Sequence, residues 1–233
     1  MNSEIPNEGA ANEDITQKSI DWWSEMAAIN GVDLSNFDPN ASLEERTAWA
    51  ISIGLFVGAI YARFSSKMQK STEAQVLENI QWAAKNGIYV PPEYISVDEA
   101  VKGKRVKRDG IERTEAILSE SLVSVLLIYK ASRLFRQAGK GYQFVNEKVV
   151  EEGMRAVLVS QGIDTDDRKT WKLQMQVHGI MDDMLLDAIA DHVRSGLKSL
   201  FMNNLTTGAI GVGSPKRNPG SASNQPRPTS YNA

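Results

Sequence analysis

An arginine stands two residues before a serine, directly after an apolar run of the chain. The run at 55–61 predicts a buried strand, and Arg63 and Ser65 follow at its end. In an α/β sheet, ligands bind outside the carboxyl ends of the strands. A hydroxyl held there beside a guanidinium suits attack on a phosphate, because the positive charge favours the ionised, nucleophilic oxygen.

Further arginines follow a second strand-like run. Residues 123–129 are β-branched and continuously apolar, which predicts a strand buried on both faces, and Arg133 and Arg136 come soon after it. Arg108 closes a basic loop. Arginine stays charged at any working pH, grips phosphate oxygens bidentately and can stabilise five-coordinate phosphorus without a metal. If the two strands are neighbours, Ser65 and the Arg133/Arg136 pair meet at one edge of the sheet.

Other catalytic groups are scarce. The absence of cysteine removes disulfides, thiolate nucleophiles and cysteine-based zinc sites. His178 and His192 are too far apart for an i, i+4 metal pair and lie away from the strand ends, so no Ser-His-Asp triad is expected. No glycine cluster precedes a Lys-Ser/Thr pair, which excludes a Walker-type phosphate loop. An Arg-x-Ser sequence on its own is too common to indicate a site. The hypothesis of a serine that attacks a phosphate therefore depends on the joint placement of these groups after two strands.

The composition is that of an ordinary globular protein. The 233 residues are 42% hydrophobic and 24% charged, enough for one sizeable domain with appendages. The polar start does not resemble a secretory signal and no apolar run approaches a bilayer span, so a cytoplasmic protein is expected. The net charge of −3 argues against a tail-driven nucleic-acid binder. The basic loop at 102–108 is either a solvated surface loop or a local contact with a phosphate backbone.

Strand and helix signals alternate along the middle of the chain. Ser42 and Glu45 fit a capping box that starts a helix. The predicted strands cover 55–61, 93–97, 123–129 and 156–160, and further predicted helices cover 15–30, 72–86, 111–118 and 142–152. This alternation predicts an α/β fold with a mostly parallel sheet and right-handed crossovers.

A long amphipathic helix is predicted from about 168 to 201. Apolar residues recur there at every fourth position, namely Val177, Met181, Leu185, Ile189, Val193, Leu197 and Phe201. Such a helix is roughly 50 Å long, which exceeds the width of a small α/β domain, so one end is expected to project. The apolar stripe of a projecting helix must be buried against another surface, most simply that of a second copy of the chain. The alternative is a helix that lies flat on its own sheet. Residues 212–233 read as a disordered tail.

Four blocks stand in order along residues 55–205. They are 61–65 with Gln69 and 72–75, then 97–100 with 108–111, then 132–136, and finally 161–165 ahead of the long helix. In this order they resemble the catalytic domain of the serine recombinases, the group of resolvases, invertases and serine integrases. The resemblance implies a resolvase-like, mostly parallel sheet flanked by helices and followed by a long projecting C-terminal helix.

The resemblance also implies a mechanism. The serine attacks a DNA phosphodiester and becomes linked to a 5′ phosphate, so site-specific strand exchange and rejoining need no ATP, metal or other cofactor. The implied partners are double-stranded DNA and further copies of the chain, assembled as a dimer or tetramer through the long helix. The implied site residues are the nucleophile Ser65, the phosphate-holding Arg63, Arg108, Arg133 and Arg136, and the orienting Gln69 and Gln75, with Asp98 as an assisting group.

The chain departs from the family pattern in two places. Ser132 stands where many members have an aspartate, and a hydroxyl cannot replace a carboxylate as proton acceptor. Members continue into a DNA-binding region, whereas a low-complexity tail follows here, which predicts a chain truncated before that region. The predicted organisation is a partly disordered extension at 1–50, a catalytic domain at 51–167, an oligomerisation helix at 168–205 and a disordered tail at 206–233.

Two other functions stay open at this point. A catalytically impaired recombinase could keep the long-helix interface and act as a dimerising regulatory or assembly partner of full-length relatives. A metal-dependent nuclease could instead use Asp98, Glu99 and other carboxylates. Activity in the presence of a chelator separates the nuclease from the serine mechanism.

Overall fold

The computed structural model describes residues 8–63, 72–98, 109–119, 122–135 and 137–202. Its helices are α1 (Glu8–Ile29), α2 (Leu43–Ser52), α3 (Thr72–Lys85), α4 (Asp109–Leu118), α5 (Ala131–Leu134), α6 (Ala138–Val145) and α7 (Trp171–Met202). Its strands are β1 (Phe56–Arg63), β2 (Ile88–Tyr89), β3 (Ile95–Asp98), β4 (Val125–Ile128), β5 (Arg155–Leu158) and β6 (Ile163–Asp164). Two 3-10 turns, Pro92–Tyr94 and Val159–Gln161, and a π-helical turn, Asn146–Val150, join these elements.

The six strands form one sheet with β1 near its centre. The order is β2-β1-β4-β5-β6, and β3 pairs with the second half of β1. The described pairings are parallel except that of β5 with β6. The predicted mostly parallel α/β fold is therefore confirmed, and β1 and β4 are neighbours. Because their strands run the same way, the carboxyl ends of β1, β3, β4 and β5 lie at one edge of the sheet.

Both faces of the sheet are buried, and this explains the uninterrupted apolar runs. Ile60 and Leu127 pack on the face covered by α1 and α3, together with Ile80 of α3. Their neighbours Tyr61 and Leu126 point to the opposite face, as the alternation of a strand requires. All five side chains are completely buried. Since neither face meets water, no polar residue is needed at alternate positions.

The N-terminal helices complete the core along the edge of the sheet. Helix α1 begins at Glu8, seven residues before the helix predicted at 15–30, in the extension predicted to be partly disordered; residues 1–7 lie outside the described residues. The capping box at the start of α2 is confirmed. The sequence suggested no role for the extension at 1–50. Its helix α1 packs against α3 and β2, so it has a structural role.

A buried tryptophan from α1 closes the edge of the sheet. The ring of Trp23 lies 4.7 Å from that of Tyr89, 5.8 Å from that of Phe37 and 6.2 Å from that of Trp49, centroid to centroid. Its Nε1–H donates a hydrogen bond to the carbonyl of Ile88 over 2.8 Å. Strand β2 is an edge strand, and the indole satisfies one of its outward polar groups while excluding water from the edge.

Replacing Trp23 by phenylalanine is expected to lower the free energy of unfolding by about 1 to 2 kcal/mol, because the Ile88 carbonyl loses its buried donor and a small cavity remains. Urea denaturation followed by far-UV circular dichroism measures this. The matched control is Trp22→Phe on the same helix, since Trp22 is only half-buried. Equal stability of the two variants would contradict the role of the indole bond.

Short elements account for most differences from the predicted elements. The two-residue strands β2 and β6 and the four-residue helix α5 were not predicted, and the helix predicted at 142–152 is α6 followed by the π-helical turn. The predicted tail lies outside the described residues. No helix in the described part of the chain is both long and apolar enough to cross a bilayer.

Helix α7 spans two units of the chain. The chain divides into a unit up to Met184 and a second unit from Leu185. The 32 residues of α7 confirm the predicted long helix within a few residues at each end. That one end projects, and that a second copy covers the apolar stripe, stay predictions.

Candidate active site at the carboxyl ends of the strands

The predicted site residues that the structure describes gather at the carboxyl edge of the sheet. Arg63 is the last residue of β1, Arg133 lies in α5 directly after β4, and Gln75 lies in the first turns of α3. The other predicted site residues, Ser65, Gln69, Arg108 and Arg136, lie outside the described residues.

Arg63 joins the ends of two neighbouring strands. Its Nη2 donates a hydrogen bond over 2.7 Å to the carbonyl of Ser132, which lies 69 positions further along the chain. The register of the sheet brings this about, because β1 and β4 pair directly and both run towards the same edge. The guanidinium of Arg63 therefore lies beside the peptide that leads into Arg133. The predicted meeting of Ser65 with Arg133 and Arg136 involves residues outside the described ones and stays a prediction.

Arg133 is a buried cation. Only 3% of its surface is exposed. Burial lowers the pKa of the Arg133 guanidinium, while the nearby Tyr129 and Asp182 act in the opposite direction. Because an arginine keeps its proton at any working pH even so, the site holds a positive charge that is largely removed from water. Such a charge interacts strongly with an anion that enters the site, since little solvent screens it.

Gln75 approaches the end of β1 from the face of the sheet that α3 covers. Its side chain is completely buried, and its Nε2 lies 3.4 Å from the carbonyl of Arg63, within reach for a long hydrogen bond. This contact fixes the backbone at the point where the chain leaves β1. The structure thus connects the three described site residues, Gln75 to Arg63 directly and Arg63 to the residue before Arg133.

Asp98 fastens the end of β3 to the start of α4. Its side chain accepts a hydrogen bond from the Tyr61 hydroxyl at 2.9 Å and another from the backbone N–H of Gly110 at 2.7 Å. A Cβ at position 110 would lie 2.6 Å from Oδ1 of Asp98, so this close approach requires glycine. Both carboxylate oxygens are engaged in these bonds, and the segment they fix follows directly after Arg108.

Two side chains after β5 reach the same edge and were not predicted. The Oε1 of Gln161 accepts the backbone N–H of Ala131 at 2.8 Å, and the Oγ of Ser160 donates to the carbonyl of Tyr129 at 2.7 Å. The signal was present in the sequence as polar residues directly after a buried strand. The pattern at 161–165 was interpreted only as a motif that precedes the long helix.

The described residues hold no cluster of three or more histidine, cysteine, aspartate or glutamate side chains suited to a metal ion. Their chemistry is that of two arginines at the carboxyl edge of a mostly parallel sheet, with backbone positions held by polar side chains from four segments. Guanidinium groups pair well with anions, so such an arrangement can take an anionic group next to the exit of β1.

Comparison with known proteins identifies the family. The family model described as "Resolvase, N terminal domain" matches residues 58–202, which is more than half of the chain. The chain therefore belongs to the resolvase N-terminal domain family and carries a serine recombinase catalytic domain. The match begins after α1 and α2, so these two helices precede the family region.

Two solved structures are similar to this chain. One is the N-terminal catalytic domain of TP901-1 integrase, with 19% identity over 57% of this chain and 98% of that chain and a TM-score of 0.45. The other is a resolvase family site-specific recombinase from Streptococcus pneumoniae, with 23% identity over 64% of this chain and 95% of that chain and a TM-score of 0.44. No curated protein matches the chain.

Proposed function

We propose that this chain is a site-specific DNA recombinase that cuts and rejoins DNA through a 5′-phosphoserine at Ser65, without metal or ATP. Membership of the resolvase family supports the recombinase class. The observation that carries the chemistry is the contact of Arg63 with Ser132, beside the buried Arg133. The side chain of Arg63 thus meets the backbone that carries Arg133 where the chain leaves β1 towards the proposed nucleophile.

The proposed reaction conserves the energy of the phosphodiester. The Oγ of Ser65 attacks phosphorus, the bond from phosphorus to the 3′ oxygen breaks, and the serine proton is given up as the leaving 3′ oxygen gains one. The guanidinium groups of Arg63 and Arg133 stabilise the extra negative charge of five-coordinate phosphorus. Rejoining runs in reverse, when the 3′ hydroxyl of a partner strand attacks the phosphoserine and releases Ser65.

Further copies of the chain are the proposed protein partners. Helix α7 exposes an apolar series in each unit, and exposed apolar patches of this kind mark interaction surfaces. The exposed side chains are Leu173, Val177, Ile180, Met181 and Met184 in the first unit, and Leu185, Ile189, Val193, Leu197 and Met202 in the second. The side chain of Phe201 lies outside the described residues. A second α7 supplies an equivalent apolar stripe, so a symmetric dimer, and then a tetramer on paired DNA sites, would cover this surface.

The same apolar series supports a second candidate function. A non-catalytic assembly partner would pair with related recombinases through α7 and modulate them. This alternative yields mixed oligomers without cleavage, whereas the recombinase yields a covalent protein–DNA species. A nuclease using Asp98 and Glu99 would instead need a divalent metal ion.

The test is a search for a covalent protein–DNA adduct in the presence of a chelator. The probe is a pool of random-sequence duplexes, labelled at either the 3′ or the 5′ end and analysed on a denaturing gel. Because the serine holds the 5′ phosphate, only the 3′-labelled strand should migrate with protein, and protease should release it. An adduct on the 5′-labelled strand, cleavage only with added Mg²⁺, or no adduct at all would contradict the proposal.

A further inference from the structure

The backbone that carries Arg133 donates a hydrogen bond to a side chain at a distant strand end. Helix α5 begins at Ala131, and its N–H is bound by Oε1 of Gln161 at 2.8 Å. Gln161 lies 30 positions further along the chain, in the turn that follows β5. Because β4 and β5 are adjacent and parallel, this turn and α5 leave the sheet side by side.

Helix α5 depends on this external acceptor. It has only four residues, and the side chain of its N-cap, Lys130, makes no capping hydrogen bond. The first N–H groups of any helix lack partners within the helix, and so short a helix has little stability of its own. The amide oxygen of Gln161 supplies one of the missing acceptors from outside the helix.

The two residues before Arg133 have their backbone held from both sides. Arg63, on β1, binds the carbonyl of Ser132, while Gln161, after β5, binds the N–H of Ala131. The two contacts come from the strands that flank β4. Between them they fix the position and direction of α5, and so the place from which the Arg133 side chain starts.

We propose that Gln161 is a positioning residue for Arg133, and this inference rests on the proposed function. Its amide oxygen holds the start of α5 so that the guanidinium of Arg133 meets the scissile phosphate in bidentate geometry. A planar guanidinium fork loses most of its advantage when it is misplaced, and a shift of about 1 Å in a catalytic group can cost about a hundredfold in rate.

The test compares three variants at neighbouring positions. Gln161→Leu keeps the size of the side chain but has no acceptor, whereas Gln161→Glu keeps an acceptor oxygen. Ser160→Ala is the matched control, because the Tyr129 carbonyl that loses the Ser160 hydroxyl still accepts the backbone N–H of Ser160 at 2.9 Å. Adduct formation is timed under single-turnover conditions on the duplex that wild type cleaves best, beside DNA affinity and thermal stability.

We expect the leucine variant to form adduct at least about tenfold more slowly at unchanged DNA affinity, and the glutamate variant to recover most of that loss. Ser160→Ala should react like wild type. If leucine unfolds the chain, Gln161→Asn serves instead, since it withdraws the oxygen by one methylene. A wild-type rate in the variant without the acceptor, or no rescue by glutamate, would overturn the positioning role.

Amide hydrogen exchange in the DNA-free protein separates this inference from the proposed function. The Ala131 N–H should exchange at least about tenfold faster in Gln161→Leu than in wild type or Gln161→Glu. If wild type forms no adduct while this difference appears, the proposed function fails and the bond stands. If exchange at Ala131 is the same in every variant, the bond does not hold α5 and the inference fails.

Discussion

Alanine at position 65 is expected to abolish the covalent adduct, whereas alanine at position 66 is expected to leave it intact. The adjacent serines Ser65 and Ser66 follow β1 two and three residues after Arg63. Only a hydroxyl can form the phosphoserine, so Ser65→Ala should reduce adduct formation by at least about a thousandfold, the scale of removing a nucleophile. The 3′-labelled strand on a denaturing gel measures the loss.

The pair of serine variants makes this prediction specific. Each replaces one hydroxyl by hydrogen at adjoining positions, so effects on folding and on DNA affinity should be alike. Binding of the labelled duplex, measured separately, should be within about twofold of wild type for both. An adduct that persists in Ser65→Ala and vanishes in Ser66→Ala would place the nucleophile one residue later.

Alanine at position 133 is expected to slow adduct formation by about a hundredfold or more. Arg133 is almost completely buried, so its charge acts on the phosphate with little screening by water, and losing one such donor costs about this much in rate. Lysine should restore little, because an ammonium cannot reproduce the two parallel hydrogen bonds of a guanidinium. Arg63→Ala should cost at least as much, since it also releases the Ser132 carbonyl.

Arg113 offers a matched control for these losses. Its Nη2 also donates to a backbone carbonyl, that of Glu93 at 2.9 Å, but its bond is exposed. Arg113→Ala should cleave within about twofold of wild type, since exposed contacts contribute little. Single-turnover rates at saturating protein give the comparison, and thermal unfolding shows whether each variant is folded. Near-normal rates in Arg133→Ala or full rescue by lysine would refute the proposed role.

Long, regular segments were predictable from the sequence because their pattern is local. The run before Arg63 is apolar at consecutive positions, which identified β1 and placed Arg63 at its end within two residues. The fourth-residue repeat identified α7, and Ser42 with Glu45 identified the start of α2. In each case the signal lies in neighbouring residues, whose spacing matches the period of a strand or a helix.

Elements that depend on distant partners were not predictable in this way. Strands β2 and β6 have two residues each, too few to show a period, and they exist because β1 and β5 offer hydrogen-bonding edges. Helix α1 extends back to Glu8, and its Trp23 is buried because an aromatic cluster from three other segments receives it. Burial of this kind depends on packing, which no local pattern encodes.

The sequence by itself determined the residue types of the site and their order along the chain: Arg63 after one strand, Arg133 after another, and an α/β alternation that sends both strands the same way. Only the tertiary structure decided that β1, β4 and β5 lie side by side, and so which backbone atoms Arg63 and Gln161 hold. The physical reason is that adjacency in a sheet depends on long-range hydrogen bonding and on packing of both faces. Residue types and local spacing leave the choice of neighbouring strands open.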